Sequence, residues 1–157
     1  MVIKASKVIK AVRVLLGIQF VIAAIVSSTG CSMSLQHELG DRTGLNCVDD
    51  SPRCLNERQT ALTAMVSDTS RTWIETPPTA TADASGVRLF AYKKQKKNLN
   101  CRQLRIGYGE AKGARERLRT AKNPQLTPAL KARSAILGDE VARELRREMK
   151  RRKCQPV

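Results

Sequence analysis

Thr127-Pro-Ala-Leu-Lys-Ala-Arg-Ser-Ala-Ile-Leu-Gly-Asp-Glu-Val-Ala-Arg-Glu-Leu-Arg-Arg-Glu-Met-Lys-Arg-Arg152 is the stretch whose periodicity decides the fold. Leu130, Leu137, Val141, Leu145 and Met149 fall on one stripe at helical spacing, and charges fill the other side. Thr127 followed by Pro128 is a helix start: a hydroxyl for the free N–H groups of the first turn, then a proline where no N–H is needed. A helix running to about Arg152 follows. Its apolar stripe needs other elements to pack against.

The same signals recur toward the N-terminus. Asn123-Pro124 breaks the chain before the last helix. Asn100 can cap a preceding helix with Leu104, Tyr108, Ala111 and Leu118 on its apolar face, although Gly107, Gly109 and Gly113 weaken it. Ser51-Pro52 repeats the cap-plus-proline start, and Leu55, Leu62, Met65 and Val66 carry that helix to about Asp68. Thr76-Pro-Pro-Thr-Ala-Thr-Ala82 reads as a turn-forming linker. Val87, Phe90, Ala91 and Lys94 fit a short helix. The run Val87-Arg-Leu-Phe-Ala-Tyr92 also fits a strand paired with Arg71-Thr-Trp-Ile-Glu75. Residues 31–50 look like an irregular tether. The expected fold is therefore all-α: a small antiparallel bundle of about four helices within residues 51–157. A short β-hairpin near 71–92 is the alternative.

Charge divides the chain. Residues 32–84 carry a net −4, and residues 85–157 a net +15. Such asymmetry points to an anionic partner for the second half, or to solvated helix faces. Lys93, Lys94, Lys96 and Lys97 form one dense run. Arg146, Arg147, Lys150, Arg151, Arg152 and Lys153 form another. Few aromatics interleave with them, which disfavours a base-stacking surface. Only 3% of the chain is aromatic, so its core must rest on aliphatic side chains.

The first 30 residues have a different character. Lys4, Lys7, Lys10 and Arg13 precede an apolar run from Val14 to Val26. That run is short for a membrane-spanning helix, which needs ~20 residues. It matches the apolar region of a secretory signal behind a basic flank, with an uncleaved anchor as the alternative. Ser28-Thr29-Gly30-Cys31 follows, with small residues where a signal is cut. Residues 1–31 thereby resemble the signal peptide and lipobox of bacterial lipoproteins, with Ser28 where leucine is commonest. The resemblance implies cleavage before Cys31, acyl chains on that cysteine, and a domain facing the periplasm. Ser32, rather than Asp, resembles the outer-membrane address of enteric lipoproteins.

If lipid takes Cys31, four cysteines remain: Cys47, Cys54, Cys101 and Cys154. An even set in a small exported domain reads as two disulfides. Three connectivities are open. An up-down-up-down bundle would bring Cys54, Cys101 and Cys154 to one end, with Cys47 just before the first helix, so Cys47–Cys54 and Cys101–Cys154 is the favoured pairing. A zinc site competes weakly, since no pair has the short Cys-x2-4-Cys spacing and His37 is the single histidine.

No arrangement of catalytic type stands out, and no cofactor is expected. Ile106-Gly-Tyr-Gly-Glu-Ala-Lys-Gly113 has the wrong glycine spacing for a phosphate loop. His37 falls in the tether, a poor place for a general base. Asp49-Asp50 and Asp139-Glu140 read as cap and surface charges. The sequence is thus expected to encode a non-enzymatic, lipid-anchored envelope protein with a structural or adaptor role. Its partners would be anionic lipid, lipopolysaccharide, peptidoglycan or an envelope protein, with nucleic acid out of reach. The alternatives are an accessory subunit of a secretion or surface complex or, if the signal is misread, a membrane-anchored cytosolic nucleic-acid binder.

Overall fold

A computed structural model describes residues 44–154; Cys31, His37 and the signal segment lie outside the described residues. The fold is all-α. Among the described residues, 44–46 are helical, and five further helices follow one another: α1 (Pro52–Ser67), α2 (Ala80–Ser85), α3 (Val87–Gln95), α4 (Cys101–Thr120) and α5 (Pro128–Arg151). A 3-10 helix, Thr72–Glu75, stands between α1 and α2. Two disulfides, Cys47–Cys54 and Cys101–Cys154, staple the fold in the favoured pairing.

The starts are where the capping residues place them. Ser51 Oγ accepts from the Cys54 N–H at 3.2 Å and Thr127 Oγ1 from the Leu130 N–H at 3.2 Å, each followed by proline. Asn100 and Gln103 form a reciprocal capping box at 2.9 and 3.0 Å. These bonds fill first-turn donors that no helical carbonyl can reach.

Residues 71–92 contain no strand. Arg71–Glu75 is largely the 3-10 helix, and Val87–Tyr92 is α3. The strand alternative for Val87–Tyr92 therefore does not hold. Arg88 is buried, along with Val87, Leu89, Ala91 and Tyr92, so α3 is covered on most of its sides. Phe90 and Lys94, two of the four residues whose spacing suggested this helix, are exposed, and so is Leu55 of α1. The linker also ends early: Thr79 Oγ1 accepts from the Ala82 N–H at 3.1 Å and opens α2.

α4 and α5 form the expected antiparallel pair. Gly138 lets them approach closely, since a Cβ there would lie 2.9 Å from the Ala111 carbonyl oxygen. Gly107 likewise gives room to the Tyr92 ring, which a Cβ would meet at 2.6 Å. Gly107 and Gly138 thus serve packing, whereas a Cβ at Gly109 would meet open space.

The strict up-down order does not hold, and the disulfides do not share an end. The start of α1 stands by the start of α5, where Asp50 pairs with both Arg58 and Arg133. Cys101–Cys154 lies at the far end, some 20 residues farther along α5, or ~30 Å at 1.5 Å per residue. The chain returns between α1 and α3 through the 3-10 helix and Thr76-Pro77-Pro78, so these two helices run the same way. Gln95 at the end of α3 donates to the Val66 carbonyl at the end of α1. Residues 44–50, read from sequence as tether, pack on the body: Gly44 is buried against Glu57 and Ala61.

Candidate functional site

Both basic runs lie at the Cys101–Cys154 end, and the fold brings them together. Lys93 Nζ donates to Glu140 at 2.5 Å and lies 3.3 Å from Glu144. Lys96 pairs with Glu144. These contacts bind the end of α3 to the middle of α5. Below them, Glu148 accepts from Arg151 at 2.5 Å and from Arg152 at 2.6 Å. Hydrogen bonds from Arg151 first, and then Arg152, hold its carboxyl down at about 2, although burial opposes this.

Arg152 has a second task. It donates to the Leu99 carbonyl at 2.6 Å, to that of Lys96 at 3.3 Å, and to that of Lys97. Those carbonyls follow the last turn of α3, where helical partners run out. Arg152 therefore caps α3, and with the nearby disulfide it fixes the junction on which the two runs meet.

The ten basic candidates thus divide. Lys93, Lys96, Arg151 and Arg152 are engaged by Glu140, Glu144 and Glu148. Lys94, Lys97, Arg146, Arg147, Lys150 and Lys153 are exposed and make no ion pair among the described residues. On α5, Arg146, Arg147 and Lys150 continue from Arg143 at i+3, i+4 and i+7, which places them along one face. Ten cations against three glutamates leave a strong positive excess on this surface. Partly screened charge of this kind attracts anions without needing a shaped pocket.

The apolar stripe of α5 is not available for a membrane surface. Leu130, Val141, Leu145 and Met149 are buried in the protein. The Gly-rich stretch 106–113 is helical within α4, the helix that the Asn100 cap and its apolar face lead one to expect. Asp49 accepts from the Ser51 N–H at 2.8 Å, Asp139 pairs with Arg115, and Glu140 with Lys93, so these acids are structural and surface partners. Sγ atoms of Cys47 and Cys54 lie beside Asp49, but the two sulfurs are bonded to each other and offer no thiolate to a metal.

A buried polar cluster went unread in the sequence. Arg88 and Glu110 form a two-pronged ion pair, Tyr92 Oη donates to Glu110 at 2.9 Å, and Arg88 also donates to the carbonyls of Trp73 and Thr76. Trp73 packs edge-on against Tyr92 at 4.8 Å. Beside it, Arg117 pairs with Asp83 at 2.7 Å and reaches the Glu110 carbonyl at 2.6 Å. Burial raises the Asp83 carboxyl despite Arg117, and burial with the Glu110 charge raises the Tyr92 phenol far above its usual value. The signal was present: one charge of each sign in an apolar helical register, Arg88 among Val87, Leu89 and Ala91, and Glu110 between Gly107 and Ala114. Every oxygen of the Glu110 carboxylate has a protein donor, so the cluster serves as a tie between α3 and α4.

No family model matches the chain, and neither the curated proteins nor the solved structures include one that is significantly similar. Among the described residues, no helix is long and apolar enough to cross a membrane.

Proposed function

We propose that this chain is a bacterial envelope lipoprotein, anchored by acyl chains on Cys31. Its helical domain acts as an adaptor that holds an anionic envelope component against the junction of α3 and α5. The observation that carries the reading is the cysteine pairing. Cys47 joins Cys54 and Cys101 joins Cys154, so no cysteine of the chain remains for Cys31. Disulfides form and persist in oxidising compartments. The basic flank, the apolar run and Ser28-Thr29-Gly30-Cys31 supply the route there.

The contact is electrostatic. Lys94, Lys97, Arg146, Arg147, Lys150 and Lys153 supply it, while the paired cations keep the surface in shape. Lipopolysaccharide phosphates, acidic lipid headgroups and peptidoglycan carboxylates are the anions within reach of an envelope-anchored domain. Ser32 after the cysteine favours the outer membrane, with the domain facing the periplasm. Intact-mass analysis of the protein recovered from bacterial membranes, with Cys31→Ala as its control, tests the anchor. Salt-dependent binding to acidic vesicles tests the surface.

A further inference from the structure

Away from the basic junction, α1, α3 and α5 leave a groove of about 490 Å³. Leu55, Leu62, Val87, Phe90 and Leu137 line it. Leu55 is 50% exposed and Phe90 41%, so apolar surface is open to water here. The volume falls within the ~300–1,000 Å³ usual for small-ligand sites, and a groove of this kind takes an apolar chain.

Arg58 and Arg133 stand at one side of the same groove, with Asp50. In the groove the two guanidiniums share that carboxylate, with Asp49 beside it also in reach of the Arg58 charge. Arg58 Nη2 donates to Asp50 Oδ1 at 3.2 Å, and Arg133 is 3.6 Å away, beyond hydrogen-bond reach. The Arg58 side chain is only 13% exposed, yet this is its one hydrogen bond among the described residues. A guanidinium has five N–H donors. The donors of Arg58 beyond this bond can take a carboxylate two-pronged, in charge-assisted hydrogen bonds.

We infer that this groove binds a free fatty acid, its chain along Leu55, Leu62, Phe90 and Leu137 and its carboxylate on Arg58 and Arg133. An excess of guanidinium over carboxylate in the lining of an apolar trough matches an anionic head on an apolar tail. A neutral or cationic head gains nothing from it. The inference does not depend on the anchor or on the basic junction.

The test is calorimetry of the disulfide-bonded protein with dodecanoate, dodecanol and dodecyltrimethylammonium, together with NMR shift mapping. Dodecanoate is expected to bind one to one, at least tenfold more tightly than the other two, and to shift Leu55, Leu62, Phe90 and Leu137. Arg58→Met keeps the apolar stem, and Arg133→Gln changes an exposed residue. Each should weaken dodecanoate at least fivefold and leave dodecanol unchanged. Leu55→Glu, also at an exposed position, should weaken dodecanoate at least tenfold. Equal affinity for acid and alcohol would overturn the inference, as would shifts confined to Arg143–Lys153. So would an acidic amphipathic helical peptide that fills the groove while dodecanoate does not.

Discussion

Arg88 and Glu110 meet side by side, Nε to Oε1 and Nη2 to Oε2 both at 2.7 Å, with neither side chain more than 3% exposed. Each charge is tolerable in the core only because the other is there. Removing one partner leaves an uncompensated buried ion, which costs about 3–5 kcal/mol. Glu110→Ala or Arg88→Ala should therefore unfold at far lower denaturant than the wild type. The double replacement Arg88→Met with Glu110→Leu should recover most of that loss. Chemical denaturation followed by circular dichroism checks both, and a double variant no better than either single one would deny that the pair is mutually dependent.

Tyr92→Phe removes one of the donors to Glu110 and keeps the ring against Trp73. Its cost should be about 1 kcal/mol, well below that of Glu110→Ala, because Arg88 still holds both carboxylate oxygens. A loss as large as that of Glu110→Ala would make Tyr92 the principal partner instead.

Selective loss of Cys101–Cys154 should cost about 2–5 kcal/mol, against less for Cys47–Cys54. In the chain-entropy picture the longer loop restrains the unfolded chain more, ~4 against ~2.5 kcal/mol. The position adds to this, since the bridge ties the start of α4 to the end of α5. Denaturation of Cys101→Ser with Cys154→Ser, compared with Cys47→Ser with Cys54→Ser, ranks the two; the reverse order would refute the argument.

Glu148 sets part of the acid response. Its folded carboxyl sits at about 2, held there by Arg151 and Arg152, below the ordinary 4.5. A depressed carboxyl contributes stability that is complete above the unfolded value and lost as pH falls through the folded one. Glu148→Gln should cost about 1.5–3 kcal/mol at neutral pH, and the gap should close between about pH 4.5 and 2. Asp83 has the opposite sign: its burial raises the folded carboxyl, so acid favours its folded form. Melting temperatures across pH 2–7 check this, and a gap that persists unchanged to pH 2 would show that Glu148 acts through packing.

The unpaired cations should matter more for binding than the paired ones. Replacing Lys94, Lys97, Arg146, Arg147, Lys150 and Lys153 with Gln should abolish binding to acidic vesicles at low salt. Replacing Lys93 and Lys96 should mainly lower stability by removing ties to α5. Wild-type binding should fade as salt rises, since screening shortens from ~10 Å at 0.1 M to ~3 Å at 1 M. A flat titration at low salt would leave these residues as solvated surface.

The starts of α1, α4 and α5 and the long α5 stripe were legible in the sequence, because capping residues, proline and a 3.6-residue period are local signals; the disulfide pairing was favoured from an up-down order that the structure does not have, so the pairs agree while their reason does not. The path of the chain was not legible. Nothing local says that Thr76-Pro77-Pro78 carries it back so that α1 and α3 run the same way, and that choice separates the two disulfides. The apolar neighbours of Arg88 hinted at its burial, but its pairing with Glu110 was hidden for a related reason: a charge enters the core only where a partner from a distant helix awaits it. Of the basic candidates, the runs were legible but their division was not, since Glu140, Glu144 and Glu148 are matched to Lys93, Lys96, Arg151 and Arg152 only by helix packing.

The anchor at Cys31 is the centre of the account, and the intact mass of protein extracted from bacterial membranes tests it most directly. The account predicts a chain that begins at Cys31, carries two or more acyl chains and has its four other cysteines oxidised; more than one chain is needed because a single one holds only marginally. Cys31→Ala should lose the lipid and the cleavage together. An unacylated chain that retains residues 1–30, or one with four free thiols, would contradict it.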